Sequence, residues 1–412
     1  MNKLRIFLLL ITFTLINFVL FGCRTITGSQ QTNMYNVPEL ESYANFVNKL
    51  AVENGMSAFL WDCSTYMDRN ALKNQYPTCT KKMIEAYNWN GTKGNGKNNC
   101  IFEEEDAFTA VKNFAAGWNL GNTLDSTSFN IENAEKNELG WIQKWPKRDK
   151  DGNAMPISWE TAWGEPATTQ EIAEFVLNEG FNAIRIPITW AEHFDEKDNI
   201  DSLWMDRVVE TVNYFYTHGV YCIINVHHDG GADGWIEATE TSYEKYSERF
   251  KKLWQQISQT FKDYDERLLF ESMNEVLDGS NNWSANENGC KWINKWNQLF
   301  VDTVRSTGGN NSNRNLVVMT YAGDGSEIAL KYFELPQDSV FNHLIVEIHN
   351  YNPHGFTWTN ATWTKMTALW SENCESVLEN DFAIYKKYSD KWKVPFIVGE
   401  YCATPKKYVE YD

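Results

Sequence analysis

Leu268-Leu269-Phe270-Glu271-Ser272-Met273-Asn274-Glu275 is an apolar run that closes on a carboxylate. Val394-Pro395-Phe396-Ile397-Val398-Gly399-Glu400 does the same much later in the chain. Runs of Leu, Ile, Val and Phe need burial on both faces, as in a parallel sheet beneath helices. An acid at the C-terminal edge of such a strand stands where parallel α/β sheets keep their active sites. Two carboxylates on one rim can divide labour: one gives a proton while the other attacks carbon, which is what cleaving a glycosidic bond requires.

Working outward from these runs, strands and helices alternate from about residue 106 onward. Short apolar runs at 115–120, 183–188, 221–227, 315–321 and 344–349 read as strands. Between them, 203–218, 242–264, 292–307 and 375–391 read as helices, and a capping signal at Thr168-Thr169 opens another that Gly180 ends. The pattern predicts a parallel α/β sheet. It supplies seven strands, whereas a (β/α)8 TIM barrel closes with eight. The missing unit reads at the front: a helix over 41–53, a buried strand Met56-Ser57-Ala58-Phe59-Leu60-Trp61-Asp62, and a helix from Pro77 to about Tyr87. The expected fold is therefore a circularly permuted barrel, with strand 8 and its flanking helices (40–90) preceding strand 1. A polar linker (91–105) joins them to strands 1–7 (106–412). The competing reading makes 40–90 a remnant of another copy beside a truncated barrel.

The chain has 412 residues, 18 of them Trp, and a formal charge of -18. That charge disfavours nucleic acid and anionic membrane surfaces as partners. Residues 1–23 read as an export signal, with a basic start, an apolar stretch and Leu20-Phe21-Gly22-Cys23 at its end. That ending resembles a bacterial lipoprotein site, which would put a lipid anchor on Cys23, and 24–39 would be a tether. The alternative is a retained membrane anchor. Seven further cysteines (63, 79, 100, 222, 290, 374 and 402) permit disulfides in an exported protein, and an odd count leaves at least one thiol free. Cys222, inside an apolar strand, reads as a buried thiol.

Gly117-Trp118-Asn119-Leu120-Gly121-Asn122, Trp159-Glu160-Thr161-Ala162-Trp163-Gly164, Ile184-Arg185-Ile186-Pro187, Met273-Asn274-Glu275, His349-Asn350-Tyr351 and Val398-Gly399-Glu400 together resemble the bacterial endoglucanases (cellulases) of glycoside hydrolase family 5, in clan A. Residues 40–90 are similar to that family's C-terminal segment, including the Trp-Asp that closes its eighth strand. The resemblance implies that Glu275 is the acid/base and Glu400 the nucleophile of a retaining endo-β-1,4-glucanase. It further implies that Arg185 and Tyr351 attend the nucleophile and that Asn274 meets the sugar 2-hydroxyl. His227 and His349 would line the cleavage subsite, and Trp61 would be an aromatic platform. His228 is a further candidate for sugar binding. No cofactor is implied, and the expected partner is a β-glucan, bound by a monomer.

Each residue has a plainer reading. Glu271, inside its strand, reads as a structural ion pair. His227-His228 suggests a metal, but neighbouring strand residues point to opposite faces, so no metal site is expected. The loop over 126–158, with Trp141 and Trp145, would rise over the rim and add a sugar-stacking wall. Rival functions are a xyloglucanase, a lichenase (mixed-linkage glucanase) or a mannanase of the same family, and a non-catalytic surface glycan-binding protein.

Overall fold

Buried strands of four to nine residues form the centre of the structure. This computed structural model describes residues 35–89, 102–127, 155–230 and 234–408. Eight strands close a barrel: β1 (Ser57–Asp62), β4 (Gly117–Leu120), β5 (Ala183–Ile186), β6 (Tyr221–Ile224), β7 (Leu268–Glu271), β8 (Leu316–Asp324), β9 (Leu344–His349) and β10 (Phe396–Tyr401). A two-stranded hairpin, β2 (Met67–Asp68) with β3 (Lys73–Asn74), stands apart from it. All the barrel pairings are parallel. The expected (β/α)8 barrel is thus the fold.

β1 lies between β10 and β4: Ser57 is in register with Ile397, and Phe59 to Asp62 with Gly117 to Leu120. Side chains fasten this unit to the rest. Trp118 Nε1 donates to Asp62 Oδ2 at 3.1 Å, Ser57 Oγ to the Val111 carbonyl at 2.7 Å, and Asn48 Nδ2 to Tyr401 Oη at 2.8 Å. Asn48 belongs to the helix Val37–Glu53, whose face of Leu40, Tyr43, Ala44 and Val47 is buried. Cys63, directly after β1, is disulfide-bonded, while Cys79, Cys222, Cys290, Cys374 and Cys402 are free.

The interior is layered because alternate strand residues point inward. Phe59, Ala183, Ile223, Leu269, Val317, Ile345 and Ile397 form an apolar floor. The helix Ala107–Phe114, absent from the sequence reading, plugs that end with Ala107, Ala110, Val111 and Phe114. Two positions further along the strands the layer turns polar and holds Arg185, Glu271 and Glu347, all fully buried. Outside the barrel, helices bury one face each; Glu287–Ser306 buries Trp292, Ile293, Trp296, Phe300 and Val304. Side-chain caps start several of them, as when Thr169 accepts from Ile172 N and Asn286 from Gly289 N.

Two strands end sooner than their apolar runs suggest. β6 stops at Ile224 and β7 at Glu271, so His227, His228 and Glu275 stand on the turns beyond. The chain leaves the sheet there to bring side chains over the barrel mouth. β10 carries an irregularity: its register against β9 slips between Val398 and Glu400. The extra residue reverses the inward alternation set by Ile397, so Glu400 faces the interior.

Deleting residues 40–90 would remove β1 and leave β10 and β4 as bare edges over an opened core. The deletion product should lose its cooperative thermal transition by circular dichroism. A product that melts cooperatively and keeps activity would show that β1 is dispensable.

Candidate active site

Arg185, inward-facing on β5 and fully buried, holds the site together. Its Nε donates to Glu271 Oε2 at 2.7 Å and its Nη2 to Glu271 Oε1 at 2.8 Å. Nη1 donates to Glu400 Oε1 at 2.7 Å and to Asn119 Oδ1 at 3.1 Å, and Nη2 reaches Asn274 Oδ1 at 2.9 Å. Glu347 Oε1 lies 3.1 Å from Nε. One guanidinium thus faces three carboxylates. Glu271 forms the ion pair that its place inside a strand suggested.

Glu275 and Glu400 meet at His349, the last residue of β9. His349 Nδ1 is 2.7 Å from Glu275 Oε1 and 3.6 Å from Glu400 Oε2. Oxygens of the two carboxylates lie within 4.8 Å of each other. Tyr351 Oη donates to Glu400 Oε2 at 2.8 Å. The two acids are pushed in opposite directions. Burial raises the Glu275 pKa, and the Glu400 charge adds to this against the pull of His349. For Glu400, burial is outweighed by His349, Arg185 and the Tyr351 hydroxyl, so its carboxyl sits below the usual range. Burial alone would depress His349, yet Glu400, Glu275 and Glu347 overcome it and raise the imidazole to about 10. One acid favours its proton, and its neighbour favours charge.

The scan of protein-family models finds cellulase (glycosyl hydrolase family 5) over residues 148–410. Endoglucanase A of Ruminococcus albus is 34% identical over 307 residues, 73% of this chain and 75% of the relative. Endoglucanase A of Clostridium longisporum is 33% identical over 71% of this chain. The chain belongs to glycoside hydrolase family 5. Its span is about half of the C. longisporum relative, at 52%. A solved family 5 enzyme of Prevotella bryantii, in complex with a xyloglucan tetradecasaccharide, is 41% identical, with a TM-score of 0.63 over 73% of this chain and 80% of that one.

The other residues singled out in the sequence gather at the same mouth of this family 5 barrel. The Asn225 amide is oriented by Ile188 N donating to its Oδ1, so its Nδ2 donates to Glu271 and to His227 Nδ1 at 3.0 Å. His227 Nδ1 is thereby an acceptor, and the neutral ring carries its hydrogen on Nε2, 4.0 Å from Glu400 Oε1. Burial, with His228 and Arg185 nearby, holds its pKa far below normal. Trp61 stacks on His227, with ring centres 5.7 Å apart and planes 8° apart. It is only 5% exposed, so it is not the bare platform that the resemblance implied. His228 sits against Trp163, and its Nε2 has no hydrogen-bond partner. Trp141 and Trp145 lie outside the described residues.

The argument that His227 and His228 must face apart fails, because both lie past the end of β6. Their rings are 4.5 Å apart, and their nitrogens lie within 4.8 Å of an Asp125 oxygen. The Asp125 oxygens already accept from the amides of Asn122 and Thr123. Glu275, His349 and Glu400 are equally close. There Arg185 supplies the positive charge that a cation would. Sequence reasoning missed Asn119, Asn225 and Glu347. Glu347 did leave a signal, as a lone acid inside Leu344-Ile345-Val346-Glu347-Ile348-His349.

The raised His349 pKa links stability to pH. Its folded-state value of about 10 exceeds the ordinary 6.5. Its stabilising contribution is therefore complete below about pH 6.5 and fades as pH climbs to about 10. Urea unfolding of wild type and His349→Asn should show the widest stability gap near pH 6, narrowing steadily toward pH 10. A gap that widens with pH would contradict this assignment.

Proposed function

We propose that this chain is a retaining endo-β-1,4-glucanase that hydrolyses internal bonds of plant cell-wall glucans. The observation that carries the reading is the close approach of Glu275 and Glu400, with carboxylate oxygens inside 4.8 Å. Double displacement takes carboxyls about 5–5.5 Å apart, whereas inversion needs roughly 6.5–9.5 Å to admit a water. Glu275, its proton favoured by burial, protonates the glycosidic oxygen as Glu400 bonds to C1. Glu275 then takes a proton from the water that releases the sugar from Glu400. Arg185 and Tyr351 keep the nucleophile charged and aimed. Asn274 spends its Oδ1 on Arg185, which leaves its NH2 for the sugar 2-hydroxyl. His227 offers Nε2–H, and His228 and Trp61 line the wall beside it.

The relatives' names point to β-1,4-glucan backbones: two endoglucanases, and an enzyme solved with xyloglucan. Xyloglucan is accordingly the second substrate to test. Reducing-sugar release from carboxymethylcellulose, xyloglucan, mixed-linkage glucan and mannan ranks the choices. Glu400→Gln should lose at least about a thousandfold in kcat while still binding glycan. Glu275→Gln should fall less on an aryl glycoside whose leaving group needs no proton. Glycan binding without turnover in the wild type would instead identify a binding protein.

Two statements about the chain's organisation belong with this proposal. Residues 40–90 act as a permuted eighth unit, supported by the pairing of β1 with β10 and β4 and by a family match confined to 148–410. A rearranged gene that places 35–89 after 408 through a short linker should yield an active enzyme. The export signal and the lipid on Cys23 rest on the sequence alone. Labelled palmitate should enter the wild type and not Cys23→Ser.

A further inference from the structure

Glu347 has no part in the scheme above, yet it touches both halves of it. Its Oε1 lies 3.1 Å from Arg185 Nε and 3.3 Å from His349 Nε2. Arg185 is the ion partner of Glu400, and His349 is the hydrogen-bond partner of Glu275. Glu347 is 0% exposed, and its Oε2 has no hydrogen-bond partner among the described residues. A buried carboxyl with one idle oxygen is costly, so a merely structural role is a poor account of it.

The neighbouring strand is built around this carboxyl. A Cβ on Gly399 would stand 1.7 Å from Glu347 Oε1, closer than any contact allows. Gly399 sits where the β10 register slips, immediately before Glu400. The glycine of Val398-Gly399-Glu400 therefore does two things: it makes room for Glu347 and lies within the irregularity that turns Glu400 inward.

We infer that Glu347 is the positioning residue for the proton shared by His349 and Glu275. It accepts from His349 Nε2–H, fixes the ring so that Nδ1 faces Glu275, and favours the doubly protonated imidazole. This rests on reading Glu275 as the acid/base. Across the 2.7 Å contact a single proton belongs either to Nδ1 or to Glu275 Oε1. Whether it rests on Oε1 or crosses to it from Nδ1, this proton goes to the leaving oxygen through Glu275, which leaves His349 neutral with its hydrogen on Nε2, and the water of the second step returns the proton to the pair. The other charged or titratable groups that bear on His349 are Glu400 at 3.6 Å, Asp324 in register on β8, and Arg185, His227 and Tyr351 around the mouth. Among the described residues, Glu347 alone of the acids approaches Nε2.

The sign of the effect follows. A negative charge at Glu347 strengthens the hold of the His349–Glu275 pair on its proton. Loss of that proton ends general-acid catalysis and sets the alkaline limb of the kcat/KM profile. In Glu347→Gln the alkaline limb should move to lower pH by about one to two units, with the acid limb nearly unmoved. Glu347→Asp keeps the charge and should keep the limb within a few tenths of a unit of wild type, whatever kcat does. An active Glu347→Gln with an unmoved alkaline limb would overturn the inference while leaving the glucanase reading intact. Wild type that cleaves no glycan would overturn that reading instead. Should Glu347→Gln fail to fold, 15N-labelled wild type decides. At pH 7–8 the His349 Nε2 should carry a hydrogen, and a ring with a bare Nε2 would refute the role.

Discussion

A single buried guanidinium organises the mouth of this barrel. Arg185 faces Glu271, Glu347 and Glu400 at ion-pair distance and also holds Asn119 and Asn274. Three buried acids and the partly buried Glu275, around one arginine and one histidine, carry more negative charge than the site can neutralise. The surplus must be relieved by protons, and the structure distributes them unequally. Burial, with Glu347 beside it, pushes the Glu271 carboxyl up, and Arg185, bonded to both its oxygens, pulls it back toward charge. Glu400, bound by Arg185 and Tyr351, stays charged. Breaking a buried pair of this kind typically costs about 3–5 kcal/mol, so the nucleophile's charge and the fold's stability share one residue.

That arrangement requires a closed cylinder. Arg185 comes from β5, Glu271 from β7, Glu347 from β9 and Glu400 from β10, and no two of these strands except the last pair are neighbours. They converge only because the sheet curves back on itself through β1. The N-terminal strand is thus a condition of the site: it supplies Trp61 against His227 and seals the two edges that would otherwise separate Glu400 from Arg185.

Much of this was legible in the sequence. Apolar runs bounded by turn residues located every strand of the barrel, because a strand buried on both faces can hold little else. The Glu275 and Glu400 motifs were legible for the same reason, since an acid closing such a run must be explained. Boundaries were less legible. β6 and β7 end before their apolar runs do; beyond them Val226 and Met273 are buried, and single backbone bonds such as Ser272 N to the Val317 carbonyl and Asn274 N to the Val226 carbonyl replace the regular ladder. The helix Ala107–Phe114 was missed although Asp106 caps it and Ala107, Ala110, Val111 and Phe114 recur at helical spacing; only its place, plugging the floor, needed the tertiary structure. Glu347 was visible as an acid in an apolar strand, but its meaning depended on two side chains from other strands.

By itself the sequence determined the fold class, the family and the two acids to watch, because alternation, burial and motif order are local properties of the chain. Only the tertiary structure decided how near those acids stand, which of them keeps its proton and which nitrogen of each histidine faces the mouth. It alone showed that two neighbouring histidines turn the same way once their strand has ended, and why a glycine must precede Glu400. Those answers depend on distances between strands remote in sequence and on the desolvation of charges inside the barrel. Neither quantity exists until the sheet has closed.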